Sequence, residues 1–340
     1  MGRSPFVFVF DVRECKDYLF QVQQIEYLLI LFVSVMYSRR VRNQPYTNLH
    51  TEALMYSIET IVVDDELIDR CYAFGTCTLE LGEQEYGVNS YVVLRSNIED
   101  KKTAVMRYLG YGEWQRMNSG ITIEGISGKD VHQSSFLDIM KNEDVLLNVC
   151  IGAAGTGKTT MAIAYAVHRW FNEGKKILMA KPTAMVGKGR AFGPVPGTIE
   201  EKYAPYLASY EIVLKKIFGD KGSAIFQRMK QKKELDFIPI EMARGCTFDD
   251  CTFILDEAQN LDWHELNTIV SRMGEGTKML ILGDLHQIDT KCRKTETGLH
   301  KMISADPFFY SDLCSLTTLQ TQYRSPITQL VADIDEFVRN

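Results

Sequence analysis

Residues 152–160 combine glycines with one lysine and three threonine hydroxyl groups, in the order GAAGTGKTT. They fit the pattern G-x-x-x-x-G-K-[ST] and lie between an apolar run that predicts a buried strand and a stretch that predicts a helix. Glycines at this spacing let backbone N–H groups converge on an anion at a helix N-terminus. We therefore expect Lys158 to contact the β- and γ-phosphates of a nucleotide and the Thr159 hydroxyl to bind Mg²⁺. The predicted phosphate-binding residues are Gly152, Ala153, Ala154, Gly155, Thr156, Gly157, Lys158, Thr159 and Thr160.

Two adjacent carboxylates follow a second apolar run, CTFIL at 251–255. Asp256 is suited to hold Mg²⁺, and Glu257, whose side chain points the other way, is suited to polarise an attacking water as a general base. An apolar strand that ends in two acids often simply reaches solvent. The phosphate-binding pattern in the same chain favours the catalytic interpretation.

A third polar segment, GDLHQID at 283–289, follows another apolar run. The carboxyl ends of parallel strands are where α/β proteins bind ligands. Gln287 is therefore predicted to hydrogen-bond the γ-phosphate or the water, and so to sense hydrolysis. Asp284 fits either a role there or a structural role in the turn, and His286 is interpreted as a solvated loop residue.

Gln133 lies upstream of the first of these strands. A glutamine amide can both donate to N7 of adenine and accept from its N6 amino group, which guanine cannot reciprocate. The chain also lacks an N-K-x-D box, so GTP is disfavoured and ATP is expected. A single glutamine is equally compatible with a structural role.

Apolar strands alternate with amphipathic helical stretches from residue 131 onward. Strands are predicted at 145–151, 176–181, 251–256, 278–283 and 315–319, and two of the helices are predicted to end at Gly174 and Gly274. This alternation is typical of a parallel sheet flanked by helices, an α/β fold. We expect an ATPase domain at 127–340, with an insertion at 183–237 that carries its own helix around 203–218.

The N-terminal third differs in character. Short β-prone runs separated by turn residues predict a small β-rich unit at 59–126, and residues 1–58 form a segment of uncertain structure. Its apolar run at 25–37 is shorter than the roughly 20 residues of a membrane span. Acidic residues precede it and no cleavage site follows, which argues against a signal peptide. A buried helix or strand is favoured over a membrane-associated segment; an upstream extension that is not native, with Met36 or Met55 as the start, is a further alternative.

The overall charge of -6 disfavours a protein that coats duplex nucleic acid, because such binding needs many Lys and Arg contacts to phosphates. A local basic patch remains open at 221–233, and a second one at Lys188 and Arg190. A charge run of this kind is often only a solvated face. The eight cysteines include no C-x-x-C pair. They are interpreted as free thiols in a reducing compartment, so a cytoplasmic location is expected.

Four segments together resemble the PhoH-like family of P-loop ATPases. They are GAAGTGKT from 152, KPTAMVGKGRAFGPVPGTIEEKYAPYL from 181, RGCTFDDCTFILDEAQN from 244 and GDLHQID from 283, within 131–340. The resemblance implies a RecA-like core related to superfamily-one helicases, ATP and Mg²⁺ as ligands, and a link to RNA. It gives Gln133 the adenine-reading role and implies that Lys158, Thr159, Asp256, Glu257 and Gln287 are the hydrolysis residues. The β-rich unit resembles the segment before the core in longer relatives, without the acidic cluster of a nuclease.

About fifty residues follow Asp289, too few for a second RecA-like domain, so helicase activity by a single chain is not expected. Helicases of this class receive a catalytic arginine from that second domain. Here either the chain's own tail or a neighbouring subunit must supply it, and Arg324 in the sequence QYRSP is the candidate. We favour the neighbour, and hence a homo-oligomer, for example a ring.

These features predict an enzyme that hydrolyses ATP with Mg²⁺ and couples hydrolysis to remodelling of RNA or another single-stranded nucleic acid, without stable membrane insertion. The alternative is an ATP-dependent switch or binding module with little turnover, which would not need Glu257. A small-molecule kinase is less compatible, because it needs an arginine-rich lid rather than the sequence DEAQ.

Overall fold

The computed structural model describes residues 58–79, 81, 85–182, 199–285, 287–288 and 294–323, and the single residues 327, 330 and 334. Predictions for residues 1–57 and for Lys188, Arg190, His286, Asp289 and Arg324 lie outside the described residues. The described residues belong to one compact unit. Within these ranges we find no helix with the length and apolar character that crossing a membrane requires.

A small mixed sheet forms the first described part of the chain. Its strands, in the order β1-β3-β4-β5-β2, are β1 (Glu59–Val63), β2 (Thr76–Thr78), β3 (Tyr91–Ser96), β4 (Thr103–Gly110) and β5 (Glu113–Arg116). Helix α1 (Asp65–Phe74), which the sequence does not predict, packs Ile68 and Cys71 into the core of this sheet. Acidic residues in its first turn suit a helix N-terminus. That 59–126 and 127–340 are separate domains stays a prediction.

A larger sheet follows the short hairpin of β6 (Thr122–Ile123) and β7 (Ile126–Ser127). The remaining elements are α2 (Val131–Lys141), β8 (Leu147–Gly152), α3 (Lys158–Glu173), β9 (Lys176–Ala180), α4 (Ile199–Phe218), α5 (Lys221–Gln231), β10 (Leu235–Phe237), β11 (Cys251–Leu255), α6 (Trp263–Val270), β12 (Lys278–Gly283), α7 (Gly298–Ile303), α8 (Asp306–Phe309) and β13 (Cys314–Leu319). The strand order is β10-β9-β11-β12-β8-β13, and every pairing among these described strands is parallel. This is the predicted RecA-like α/β fold.

Both faces of the large sheet are covered. Ile254, Leu280 and Leu282 point into one core, which they share with α2, α3, α4 and α5. Phe253 and Ile281, on the opposite face, pack with α6 and α7. Strands buried on both sides read as continuous apolar runs, which is why β8, β9, β11 and β12 could be predicted. The outer strand β13 was also predicted, although it is fully buried only at alternate residues. The sixth, β10, has three residues and is too short to give such a run.

Two helix ends test the predicted termination by glycine. Helix α3 ends at Gly174, which adopts the left-handed conformation with φ 70°. The prediction for Gly274 is wrong, because α6 ends at Val270. A Cβ atom at Gly274 would lie 1.7 Å from Oδ1 of the exposed Asp249, so this glycine gives room to the side chain of another chain segment.

The two sheets contact each other through polar groups. Tyr91 in β3 donates a hydrogen bond of 2.6 Å to Asp138 in α2. The Asn89 amide donates to the carbonyl oxygens of Asp312 and Cys314, at 3.0 and 2.9 Å, where β13 begins. These contacts orient the β-rich unit against the outer strand of the large sheet and against α2.

The buried side chain of Lys278 anchors α2 to the large sheet. Its Nζ donates to the carbonyl oxygens of Met140 and Asn142, each at 2.6 Å, at the C-terminus of α2. A cation at this end of a helix satisfies carbonyl groups that have no partner within the helix. Burial lowers the pKa of Lys278 from 10.5 to about 8.

We expect Lys278→Met to lower the free energy of unfolding by about 1–3 kcal/mol at pH 7, because it removes the partner of a buried carbonyl oxygen. The pKa is lower in the fold than in the unfolded chain, so the unfolded chain binds more protons between pH 8 and 10.5. The wild type should therefore gain stability relative to the variant as the pH rises through this window. Urea denaturation at pH 7 and pH 9 measures both effects. Lys176→Met, at an exposed position of β9, is the control; equal stability of both variants and wild type would exclude the anchor.

Candidate active site

The carboxyl ends of four parallel strands bring the predicted site residues to one edge of the large sheet. Strand β8 ends at Gly152, and β9 is followed by Lys181. Asp256 comes directly after β11, and Gly283 ends β12. Because neighbouring parallel strands run in the same direction, the loops that leave them meet in space.

The phosphate-binding loop has the predicted context, with β8 before it and α3 after it. Gly155 and Gly157 have φ angles of 90° and 100°, in the left-handed region that favours glycine. A Cβ atom on Gly152 would lie 2.5 Å from the carbonyl oxygen of Leu319 in β13. The three glycines therefore permit a loop shape that residues with side chains would not adopt.

Lys158 folds back over this loop. Its Nζ donates hydrogen bonds to the carbonyl oxygens of Gly152 and Ala153, the latter at 3.0 Å. The ammonium group is thus kept beside the backbone of the loop and is available to the phosphates of a nucleotide bound there.

Thr159 and Asp256 form the candidate metal site. Thr159 Oγ1 lies 3.4 Å from Asp256 Oδ2. Burial raises the pKa of Asp256, the charge of Glu257 raises it further, and Lys181 opposes the shift. A divalent cation bound at Asp256 would offset both unfavourable effects. Mg²⁺ prefers oxygen ligands, and usually only one or two of them come from protein side chains while water supplies others. The Thr159 hydroxyl group and the Asp256 carboxylate therefore fit a Mg²⁺ site.

Glu257 has an unusual backbone conformation for a residue with a side chain. Its φ and ψ are 57° and 36°, in the left-handed region, which costs roughly 1–2 kcal/mol. Its N–H donates to Asp256 Oδ1 at 3.0 Å. Both carboxylate oxygens have partners: Oε1 lies 3.4 Å from Lys181 Nζ, and Oε2 accepts a 2.7 Å hydrogen bond from Gln259 Nε2. Strain of this kind is concentrated at functional sites.

Gln259 joins the loops that follow β11 and β12. Its buried Nε2 also donates to the carbonyl oxygen of Gln287 at 3.0 Å, and its Oε1 accepts from the N–H of Asp284 at 3.0 Å. The side chain of Gln287 is exposed. Gln287 thus reaches the site by its backbone, and contact of its side chain with a γ-phosphate stays a prediction. Gln259 is a site residue that sequence reasoning missed, although the DEAQ segment contains it.

Gln133 lies in the first turn of α2 and supports the phosphate-binding loop. Its Nε2 donates to the carbonyl oxygen of Thr156 at 2.8 Å, and its Oε1 accepts from the N–H of Lys129 at 2.9 Å. Asp130, which caps α2, accepts from the N–H of Gln133 at 2.8 Å. Both ends of this amide therefore have protein partners. A role in reading adenine stays a prediction.

Tyr323 is a second residue at the site that the sequence does not predict. Its N–H donates to the carbonyl oxygen of Gly155 at 3.1 Å, and its hydroxyl group donates to Asp130 Oδ2 at 2.8 Å. The ammonium group of Lys129 lies 4.5 Å from the centre of its ring. The segment after β13 therefore passes directly beside the phosphate-binding loop. The only available signal was its position next to Arg324, the residue predicted for catalysis.

We expect Gln133→Ala to weaken binding of non-hydrolysable ATP and GTP analogues by about fivefold or more, because one hydrogen bond to the loop is worth about 1 kcal/mol. If Gln133 also reads adenine, ATP loses more than GTP and the preference shrinks. Calorimetric titration with both analogues separates the two roles. Gln227→Ala, at an exposed position of α5, is the control. Equal losses would leave the supporting role alone, and unchanged affinities would remove both.

Comparison with known proteins gives matches that include the residues of this site. A family model described as PhoH-like protein matches residues 125–334. Protein PhoH2 of Bacillus subtilis (strain 168) is 32% identical over 276 residues, which cover 77% of this chain and 57% of that protein. The PhoH-like protein of the same organism is 36% identical over 167 residues, covering 49% of this chain and 50% of that protein. The chain thus spans about half the length of these curated relatives.

Among solved structures, the Pif1 helicase from Candida albicans matches with a TM-score of 0.34 and 18% identity, over 63% of this chain and 44% of that chain. This structural similarity is too low to support any argument about the chain. The family match covers the phosphate-binding loop, the carboxylate pair and the glutamine-bridged loops, that is, every element of the site described above. On this basis the chain belongs to the PhoH-like protein family.

Proposed function

We propose that the protein hydrolyses ATP to ADP and phosphate in the presence of Mg²⁺. The observation that carries the proposal is the convergence, at one edge of the sheet, of Lys158 on its loop, the Thr159 and Asp256 pair, and Glu257 with both oxygens positioned. Each has the chemistry that phosphoanhydride hydrolysis requires.

The roles follow from these contacts. Backbone N–H groups of the loop and Lys158 bind the phosphates, and Thr159 and Asp256 hold the metal. Mg²⁺, when bound, neutralises charge on the β- and γ-phosphates. Glu257 takes a proton from the water that attacks the γ-phosphorus, while the bond from that phosphorus to the bridging oxygen breaks and ADP leaves.

The alternative of a switch with little turnover is less well supported. A binding module needs the loop and the metal ligands but no base. Here a glutamine that is completely buried holds the carboxylate of Glu257 and at the same time links it to the loop after β12. Such positioning favours turnover.

Lys158→Ala should abolish tight ATP binding. Glu257→Gln should keep binding and lower turnover by roughly 10²–10⁴-fold, because only the proton acceptor is removed. Phosphate release and analogue binding measured on the same preparations distinguish the two effects. Glu99→Gln, in an exposed loop of the β-rich unit, serves as the control. Normal turnover by Glu257→Gln would refute its assignment as the base.

We further propose that single-stranded RNA or another single-stranded nucleic acid is the partner on which hydrolysis acts. The hairpin of α4 and α5 and the turn after it carry exposed cations, although the chain as a whole is acidic. These cations are Lys215, Lys216, Lys221, Arg228, Lys230, Lys232 and Lys233. Only Lys215 and Lys232 have carboxylate partners among the described residues, in Glu211 and Glu234. Lysine and arginine side chains grouped in this way can contact the phosphates along the backbone of a nucleic acid strand.

The double variant Lys230→Glu/Lys233→Glu should weaken binding of a single-stranded RNA oligonucleotide. If each lysine neutralises one phosphate, the slope of log K against log salt should become shallower by about 1.4. Fluorescence anisotropy at several salt concentrations measures this slope. Lys101→Glu/Lys301→Glu makes the same change of charge at exposed positions elsewhere and should leave the slope unchanged. Equal slopes for both double variants would show that the hairpin is only a solvated face.

The assembly and the catalytic arginine remain proposals. Arg324 is proposed to neutralise charge on the γ-phosphate, and a homo-oligomer, for example a ring, would present it from a neighbouring subunit. The hydrogen bond from the Tyr323 N–H to Gly155 supports the other possibility, supply from the chain's own tail.

A cytoplasmic location is supported by the cysteines, since all six in the described residues are free thiols.

A further inference from the structure

Two buried cysteines of the small sheet are in direct contact. The Sγ atoms of Cys71 in α1 and Cys77 in β2 lie 2.8 Å apart. Among the six described cysteines, these are the two that contact each other. A disulfide bond has a length of about 2.05 Å, so the two sulfur atoms need to approach by less than about 1 Å to form one. Neither residue belongs to the candidate nucleotide site.

The connection between α1 and β2 brings the two side chains together. Gly75 caps the helix with φ 74° and donates its N–H to the carbonyl oxygen of Cys71 at 3.0 Å. This left-handed residue changes the direction of the chain, and β2 begins directly afterwards with Thr76. Cys77 is paired with Trp114 of β5, and both lie in the core of the small sheet together with Cys71. The contact is therefore fixed by the fold of this connection.

We propose that Cys71 and Cys77 are a site of reversible oxidation, at which a peroxide closes a disulfide that fastens α1 to the edge strand β2. Cys77 reacts first, because it is 9% exposed and Cys71 is completely buried. Strand β2 stands at the end of the strand order, beside β5, so a bond to α1 gives it a second attachment. Disulfides of proteins in reducing compartments are usually transient and respond to oxidants in this way.

The same burial protects the pair from accidental oxidation. Burial raises the pKa of Cys77 to about 12, and the neighbouring Cys71 raises it further. At neutral pH the Cys77 thiol is therefore protonated, and the thiolate is the form that attacks an oxidant. The disulfide should close slowly, under sustained exposure to peroxide.

The reaction balances with hydrogen peroxide as the oxidant. The Cys77 sulfur loses its proton and bonds to one peroxide oxygen, while the O–O bond breaks and the other oxygen leaves with that proton as water. The Cys71 sulfur then bonds to the Cys77 sulfur, and the S–O bond breaks to release a second water with the Cys71 proton. The two sulfur atoms together lose two electrons, which the peroxide gains. A thiol reductant opens the disulfide again by exchange.

Peptide mapping of the full chain tests the site. After exposure to hydrogen peroxide, the protein is unfolded in the presence of iodoacetamide and cut with trypsin. Both cysteines remain in one peptide, residues 71–95, because no Lys or Arg lies between Arg70 and Arg95. We expect this peptide to carry two alkyl groups before oxidation and none afterwards, with a mass lower by two hydrogen atoms than that of the unmodified peptide. Treatment with a thiol reductant before alkylation should restore both alkyl groups.

Residues 245–272 form a matched control in the same digest. This tryptic peptide also contains two cysteines at a similar spacing, the exposed Cys246 and the buried Cys251, whose described hydrogen-bond partners are not cysteines. We expect Cys246 to be oxidised without a disulfide inside this peptide. The proposal is overturned if residues 71–95 keep both alkyl groups while Cys246 is oxidised, or if Cys77 becomes a sulfinic acid while Cys71 is still alkylated. Equal disulfide formation in both peptides would also overturn it, because it would show oxidation of unfolded chains.

Thermal unfolding tests whether the disulfide fastens the helix to the strand. Reduction of the oxidised wild type should lower its thermal midpoint by a few degrees, because the disulfide restricts the unfolded chain. Cys77→Ser, oxidised and then reduced in the same way, should show no change on reduction. Each sample is compared with itself, so a lower stability of the variant does not affect the result. An unchanged midpoint of the wild type, with the disulfide demonstrated by mass, would overturn the fastening.

Discussion

Burial of both faces of the large sheet is the constraint from which the site follows. Every residue of β11 and β12 is buried, and apart from Lys278 and Thr252 near their amino ends these strands carry only apolar residues and Gly283. The other charged and amide groups of this region lie where the strands end. Parallel pairing puts those ends at one edge, and the loops leaving them are close enough for one amide, that of Gln259, to bond to three different residues. The position of the candidate site is therefore a consequence of how the core is covered.

The fold and the local motifs could be predicted because their signals are short in sequence. Apolar runs identify four of the six strands of the large sheet, and the phosphate-binding loop needs only consecutive residues. The contacts around the proposed catalytic groups join distant residues: Lys181 is 76 residues from Glu257, and Gln133 is 23 from Thr156. A sequence pattern does not state which amide will face which carbonyl after folding. Helix α1, β10 and the close approach at Gly274 were missed for the same reason, since each depends on packing or on a neighbouring segment.

Electrostatics at the site is unbalanced in a way that suits its proposed ligands. Asp256 is buried beside a second carboxylate, and burial together with that charge raises its pKa. Lys181 and Lys158 are the nearby cations that oppose the shift. Each of them has alternative partners within reach, Lys181 in Glu257 and Lys158 in two carbonyl oxygens of the loop. The weak contacts of these lysines can therefore be replaced by contacts to a phosphate anion, and a divalent cation can neutralise the two carboxylates.

The hydrogen bond between Tyr323 and Asp130 has a mechanical consequence. Asp130 lies directly before α2, and Tyr323 lies after β13, so this hydrogen bond joins the two described chain segments that flank the strands of the large sheet. Both residues are also tied to the phosphate-binding loop, Tyr323 through Gly155 and Asp130 through Gln133 and Thr156. A pull applied at either end of the core therefore reaches the loop through no more than a few hydrogen bonds.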